Sequence, residues 1–216
     1  MELSSIAPHF MPAMDFEGRY LIMYGGAGSG KTTTAASKLI MRCMAEPGHR
    51  FVCIRKHDSS ALFAGVIERS NAICTDGYFR NDMDQSMRFH NGSSITCMDF
   101  SDPEKIKSAR PTGIWLEEAN EFNEVDFIGI DLQLRGSTPS YKQVILTFNP
   151  VSIDWIHERF FADIVDDSLD LLGLMIHHST FNDNPFIDDQ YKAVMNELPL
   201  SRLGRHTYRD GLFPKE

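Results

Sequence analysis

Gly25-Gly26-Ala27-Gly28-Ser29-Gly30-Lys31-Thr32 satisfies the pattern G-x-x-x-x-G-K-[ST] in full. The apolar run Tyr20-Leu21-Ile22-Met23-Tyr24 before it reads as a buried strand. Behind it, Ala36, Leu39, Ile40, Cys43 and Met44 recur at helical spacing, and Pro47-Gly48 ends the pattern. A glycine turn between strand and helix lets backbone N–H groups wrap an anion at the positive end of the helix. In such a turn Lys31 reaches the β- and γ-phosphates, the Thr32 hydroxyl sits on Mg²⁺, and Thr33 follows in the first helical turn. The plain alternative is a chance glycine loop; agreement of strand, loop and helix favours a nucleoside triphosphate site.

The second pattern is Ile114-Trp115-Leu116-Glu117-Glu118-Ala119-Asn120, apolar residues followed by two acids at a strand end. It looks like a Walker B segment. Glu117 is expected to hold Mg²⁺ opposite Thr32, and Glu118 to orient and polarise the attacking water. Successive strand residues point to opposite faces, so both acids serve one nucleotide only if the chain leaves the strand here. Two solvated acids are the structural alternative. A kinase has no need of the second acid, because its acceptor replaces water, so the pair favours hydrolysis. A third element, Thr147-Phe148-Asn149-Pro150, closes the strand expected beside it; Thr147 or Asn149 there can sense the γ-phosphate, or the segment is simply an Asn-Pro turn.

Strands are also expected at Arg50–Arg55 and Leu171–Ser179, and helices at about Ser59–Ile73, Pro103–Ser108, Ile153–Phe161 and, with a break at Pro199, Ile187–Leu203. Asn91-Gly92 between two β-rich runs predicts a hairpin over Gln85–Phe100, an elaboration outside the core. Alternating strands and helices predict a largely parallel sheet. Residues 1–18 read as an irregular lead-in, 19–180 as the α/β core, and 181–216 as a helical lid or linker.

The 216 residues suit one α/β domain with a sizeable core. No run approaches the ~20 apolar residues of a membrane span, and the N-terminus lacks a signal-peptide layout. Cys43, Cys53, Cys74 and Cys97 form no C-x-x-C pair, and His177-His178 have no partner at metal spacing, so both sets read as structural. A net charge of −9 argues against a whole-surface polyanion binder. It leaves room for a local basic patch, for which Lys56, Arg80 and Arg88 are the scattered candidates. Arg19 and Tyr20 could flank the base, or Tyr20 could be core.

Together these residues resemble the ATPase domain of the terminase large subunit, the DNA-packaging motor of tailed bacteriophages. The matching segments are the P-loop, Lys105–Ser108, Ile114–Ala119, Thr147–Pro150, Asp154-Trp155-Ile156 with Arg159-Phe160, Asn182–Pro185 and Tyr208–Gly211. The resemblance implies a P-loop NTPase of the RecA-like ASCE type, using ATP and Mg²⁺, with Thr147 and Asn149 coupling hydrolysis to movement. It implies a ring of subunits around double-stranded DNA, in the host cytoplasm at the procapsid portal vertex, with a portal protein and a small terminase subunit as partners. Ala27 stands where many relatives carry arginine. The family's nuclease domain would begin about where this stretch stops, so DNA cleavage is not expected of it. An arginine finger from a neighbouring subunit is expected, with Arg110 first and Arg55 second. Competing readings are a helicase-type ATPase, a small-molecule kinase and a nucleotide-dependent binding module.

Overall fold

Residues 6–74, 76–101, 103–161, 173–197, 201 and 204–214 are described in a computed structural model of the chain. Their strands are β1 (Tyr20–Gly25), β2 (Arg50–Arg55), β3 (Tyr78–Asn81), β4 (Ser86–Phe89), β5 (Ser94–Asp99), β6 (Gly113–Glu117), β7 (Gln143–Phe148) and β8 (Leu174–Ser179). Among the described residues they form one sheet in the order β3-β4-β5-β2-β6-β7-β1-β8. The six strands from β5 to β8 are parallel, so their C-terminal ends share one edge, the edge where α/β sheets bind ligands.

Period-two alternation divides the core into two layers. Leu21, Met23, Phe51, Cys53, Trp115 and Ile145 pack on one face, and Tyr20, Ile22, Val52, Ile54, Ile114, Leu116, Val144 and Leu146 on the other. The first layer is completed by α1 (Met11–Asp15), α2 (Lys31–Ala45) and α3 (Ser60–Ile73), the second by α4 (Pro103–Ala109), α5 (Glu124–Asp131) and α6 (Trp155–Phe160). A further helix, α7 (Asp189–Glu197), and a π-helical turn at Arg205–Arg209 follow β8. The doubly covered, mainly parallel sheet is the RecA-like α/β architecture expected. None of the described helices is long and apolar enough to cross a membrane.

Three expectations need correction. The lead-in is not irregular throughout: Pro8–Phe10 and α1 are helical, and Phe10 and Ala13 are fully buried against α2. The hairpin is not outside the core, because β5 pairs in parallel with β2 and buries Ile95 and Cys97; β3, unforeseen, then pairs with β4. The sixth helix starts at Trp155, where the Asp154 carboxylate accepts from Ile156 N–H, and leaves Ile153 exposed. The predicted break at Pro199 lies outside the described residues.

Candidate nucleotide site

The P-loop joins β1 to α2 at the C-terminal edge of the sheet. Gly25 takes φ +147°, and a β-carbon there would lie 1.8 Å from the Ser179 carbonyl oxygen, so only glycine fits. A buttress comes from the other end of the sequence. Ala27 N–H donates to the Tyr208 carbonyl at 2.8 Å, and His178 Nε2 lies 3.0 and 3.1 Å from the carbonyls of Asp210 and Gly211. Above the turn, Asn184 Nδ2 donates to the Gly28 carbonyl at 2.8 Å. A crevice of about 380 Å³ lies there, lined by Gly28 to Thr33 on one side and Asn184, Phe186, Ile187, Asp188 and Tyr191 on the other. A neighbouring cavity of about 190 Å³ brings Ile6, Ala7 and Phe10 of the lead-in against Thr33, Thr34 and Ser37 of α2.

Lys31 is buried, and its ammonium donates to the Gly25 and Gly26 carbonyls (3.2 and 2.9 Å), Ser29 Oγ (3.3 Å) and Asn149 Oδ1 (3.0 Å). Burial pulls its pKa down to about 8, opposed by the Glu118 carboxylate. β7 lies between β1 and β6, so Asn149, just past its end, reaches the lysine.

Glu117 ends β6, and Glu118 turns into the left-handed region at φ +51°, ψ +52°. That turn takes the chain out of the strand immediately after Glu117, the departure that the alternation of strand side chains requires if both acids are to act together. Burial raises both carboxyl pKa values. For Glu117 the rise is opposed by Arg55, reinforced by Glu118 and opposed by the Thr32 hydroxyl; for Glu118 it is opposed by Lys31 and then by Arg55. Thr32 therefore lies near Glu117, and Lys31 lies within charge range of Glu118. The Glu117 side chain is only 13% exposed, and its nearest cation, Arg55 Nε, stands 4.0 Å away. A largely buried carboxylate with a hydroxyl beside it, only loosely paired with Arg55, is a fitting donor set for a small divalent cation.

Thr147 lies in register with Glu117 on the neighbouring strand. It is buried, and its Oγ1 accepts a 2.8 Å hydrogen bond from Trp115 Nε1. Arg110 lies before the start of β6, at the opposite edge of the sheet from its own P-loop, with its carbonyl held by Arg50 Nε. Arg55, by contrast, closes β2 in register with Glu117. Arg19 and Tyr20 are also at the far edge, both bonded to Asp131, so they do not flank a base in this crevice. Lys56 pairs with Asp126 at 2.5 Å between the rings of Phe100 and Phe122, and the exposed Arg80 pairs with the exposed Asp82 at 2.5 Å.

Sequence reasoning missed Lys38. It is 2% exposed, and its ammonium donates to the carbonyls of Ala13, Met14 and Phe16 at 2.9, 2.8 and 2.6 Å, tying the end of α1 to the P-loop helix. Its position between Ala35, Leu39 and Arg42 on the inward face of α2 was the available signal.

A glycine turn between strand and helix, two acids at the end of β6 and a polar residue just past the strand between them, on a mainly parallel sheet, define a P-loop NTPase fold of the RecA-like ASCE type. The chain belongs to the phage terminase large subunit family, whose model matches residues 17–209. It is 31% identical over 220 residues to the PBSX phage terminase large subunit of Bacillus subtilis (strain 168), covering 92% of this chain and 50% of that protein. The chain thus spans about half the length of that curated relative. The large terminase of a thermophilic bacteriophage in complex with ADP superposes with a TM-score of 0.72 at 19% identity, over 96% of this chain and 51% of the other. The large terminase ATPase domain of a Thermus phage superposes with a TM-score of 0.62 at 13% identity, over 92% and 90%. At those identities the two likenesses speak for the fold.

Proposed function

We propose that this chain is the Mg²⁺-dependent ATPase motor unit of a terminase large subunit, hydrolysing ATP to drive double-stranded viral DNA into a procapsid. The observation that carries the reading is that Lys31 and Thr32, which line the crevice, engage Asn149, Glu118 and Glu117: Lys31 bonds Asn149 and interacts with the Glu118 charge, and the Thr32 hydroxyl interacts with Glu117. The P-loop N–H groups cradle the phosphates, and Lys31 exchanges its carbonyl and Asn149 partners for phosphate oxygens. Thr32 and Glu117 are the residues that would hold Mg²⁺, whose chemistry there is to neutralise charge on the β- and γ-phosphates. Glu118 orients the attacking water and accepts its proton. Asn149, released by Lys31, is free to bond the γ-phosphate and so report its loss to β7.

The ADP complex of the thermophilic-phage relative supports nucleotide binding here. The family supports assembly as a ring with double-stranded DNA, a portal protein and a small terminase subunit. ATP turnover with and without long double-stranded DNA, and with portal or small subunit added, tests the reading. Stimulation is expected; phosphorylation of a metabolite in place of hydrolysis overturns it.

A further inference from the structure

Arg55 is a cation beside the two acids to which the hydrolytic scheme gives no task. It sits at the C-terminal end of β2, directly beside Glu117 in the parallel register. Neighbouring strands lie about 4.8 Å apart, and the Arg55 charge acts on both acids, opposing the rise in the carboxyl pKa of Glu117 and of Glu118. Its Nε stands 4.0 Å from Glu117 Oε2, outside hydrogen-bonding range, with 31% of the side chain exposed. A committed Arg–carboxylate pair closes to about 2.7–2.9 Å. The adjacent Lys56 shows the contrast, locked onto Asp126 at 2.5 Å.

The charge balance calls for such a group. A triphosphate and two carboxylates, set against Lys31 and one divalent cation, leave the crevice net negative. The glycine turn carries Ala27 and offers no arginine of its own.

We infer that Arg55 acts in cis, its guanidinium moving from beside Glu117 onto the γ-phosphate of the triphosphate bound in the same subunit. The inference rests on the ATPase reading, and it replaces the expectation that Arg55 serves a neighbour. No bond is made or broken by Arg55; it supplies N–H donors and positive charge where the transferred phosphoryl group develops charge.

The test compares wild type, Arg55→Ala and Arg55→Lys, with thermal unfolding as a check that each folds. Fluorescent ADP and a non-hydrolysable ATP analogue are titrated with Mg²⁺ present. Arg55→Ala is expected to bind the analogue at least 10-fold more weakly while ADP affinity stays within 2-fold, and Arg55→Lys to recover part of the loss. Turnover of Arg55→Ala is expected to fall at least 10²-fold, and mixing it with Glu118→Gln subunits to restore nothing. Unchanged analogue affinity, or turnover restored on mixing, overturns the cis assignment. Failure of wild type to bind either nucleotide instead sinks the ATPase reading, so the two failures are distinct.

Discussion

Lys31 Nζ donates to Asn149 Oδ1 at 3.0 Å, joining the P-loop to the end of β7. The bond occupies a lysine that a triphosphate needs, so nucleotide must displace Asn149 to bind. Asn149→Ala is therefore expected to bind ATP at least as tightly as wild type while turning it over about 10²-fold more slowly, the scale for losing one donor to developing charge. Parallel binding and single-turnover measurements check this; loss of affinity equal to the loss of rate contradicts it.

Thr147 has a different standing. Replacing it with valine leaves the buried Trp115 indole N–H without its 2.8 Å acceptor. A stability loss of about 1–3 kcal/mol is expected, read by denaturant unfolding, with ATP affinity little changed. A large affinity loss at unchanged stability would instead make Thr147 a direct phosphate contact.

Gly211 takes φ +67°, and a β-carbon there would lie 2.3 Å from Gly26 N and 2.5 Å from Gly25 Cα, backbone atoms of the phosphate turn. Gly211→Ala must push the turn or strain its own backbone, at a cost of about 1–3 kcal/mol. Nucleotide affinity is expected to fall along with thermal stability. A variant that melts earlier but binds normally would show that the C-terminal buttress does not shape the P-loop.

The two motifs were legible because phosphate and metal chemistry restrict them to short spacings: Gly25 to Thr32 and Glu117-Glu118 name themselves. The continuous apolar runs gave β1, β2, β6 and β7 nearly residue for residue, since each is buried on both faces. Illegible were contacts between distant parts of the chain. Tyr208–Gly211 could be matched to a family pattern, yet its task, accepting from Ala27 N–H, exists only in the fold. β3 escaped notice because Tyr78–Asn81 is mostly exposed and lacks an apolar stripe. The helix α5 was missed even though Asn123 and Asp126 form its capping box, three residues apart as such boxes require.

Lys38 gives a pH test. Burial, with Arg42 adding to it, pulls its pKa from 10.5 in the unfolded chain to about 8 in the fold. A depressed lysine sheds its proton first in the folded state, so stability from this group rises as pH climbs from about 8 toward 10.5 and is lost as pH falls back through 8. Relative to Lys38→Met, wild type should gain up to about 1.4 kcal/mol per pH unit in that window. Urea unfolding of both proteins at about pH 7.5 and about pH 9.5 reads the difference; a relative loss at the higher pH contradicts the assignment.

The most direct measurement is Glu118→Gln, followed by ATP binding and phosphate release on the same preparation. The amide keeps the shape of the side chain and removes the group that takes the proton from water. Binding should stay within about 3-fold of wild type while phosphate release drops at least 10²-fold, the lower bound for a positioned general base. Phosphate release at the wild-type rate would mean that the acid beside Lys31 is not what activates water, and the hydrolytic account of this crevice would be wrong.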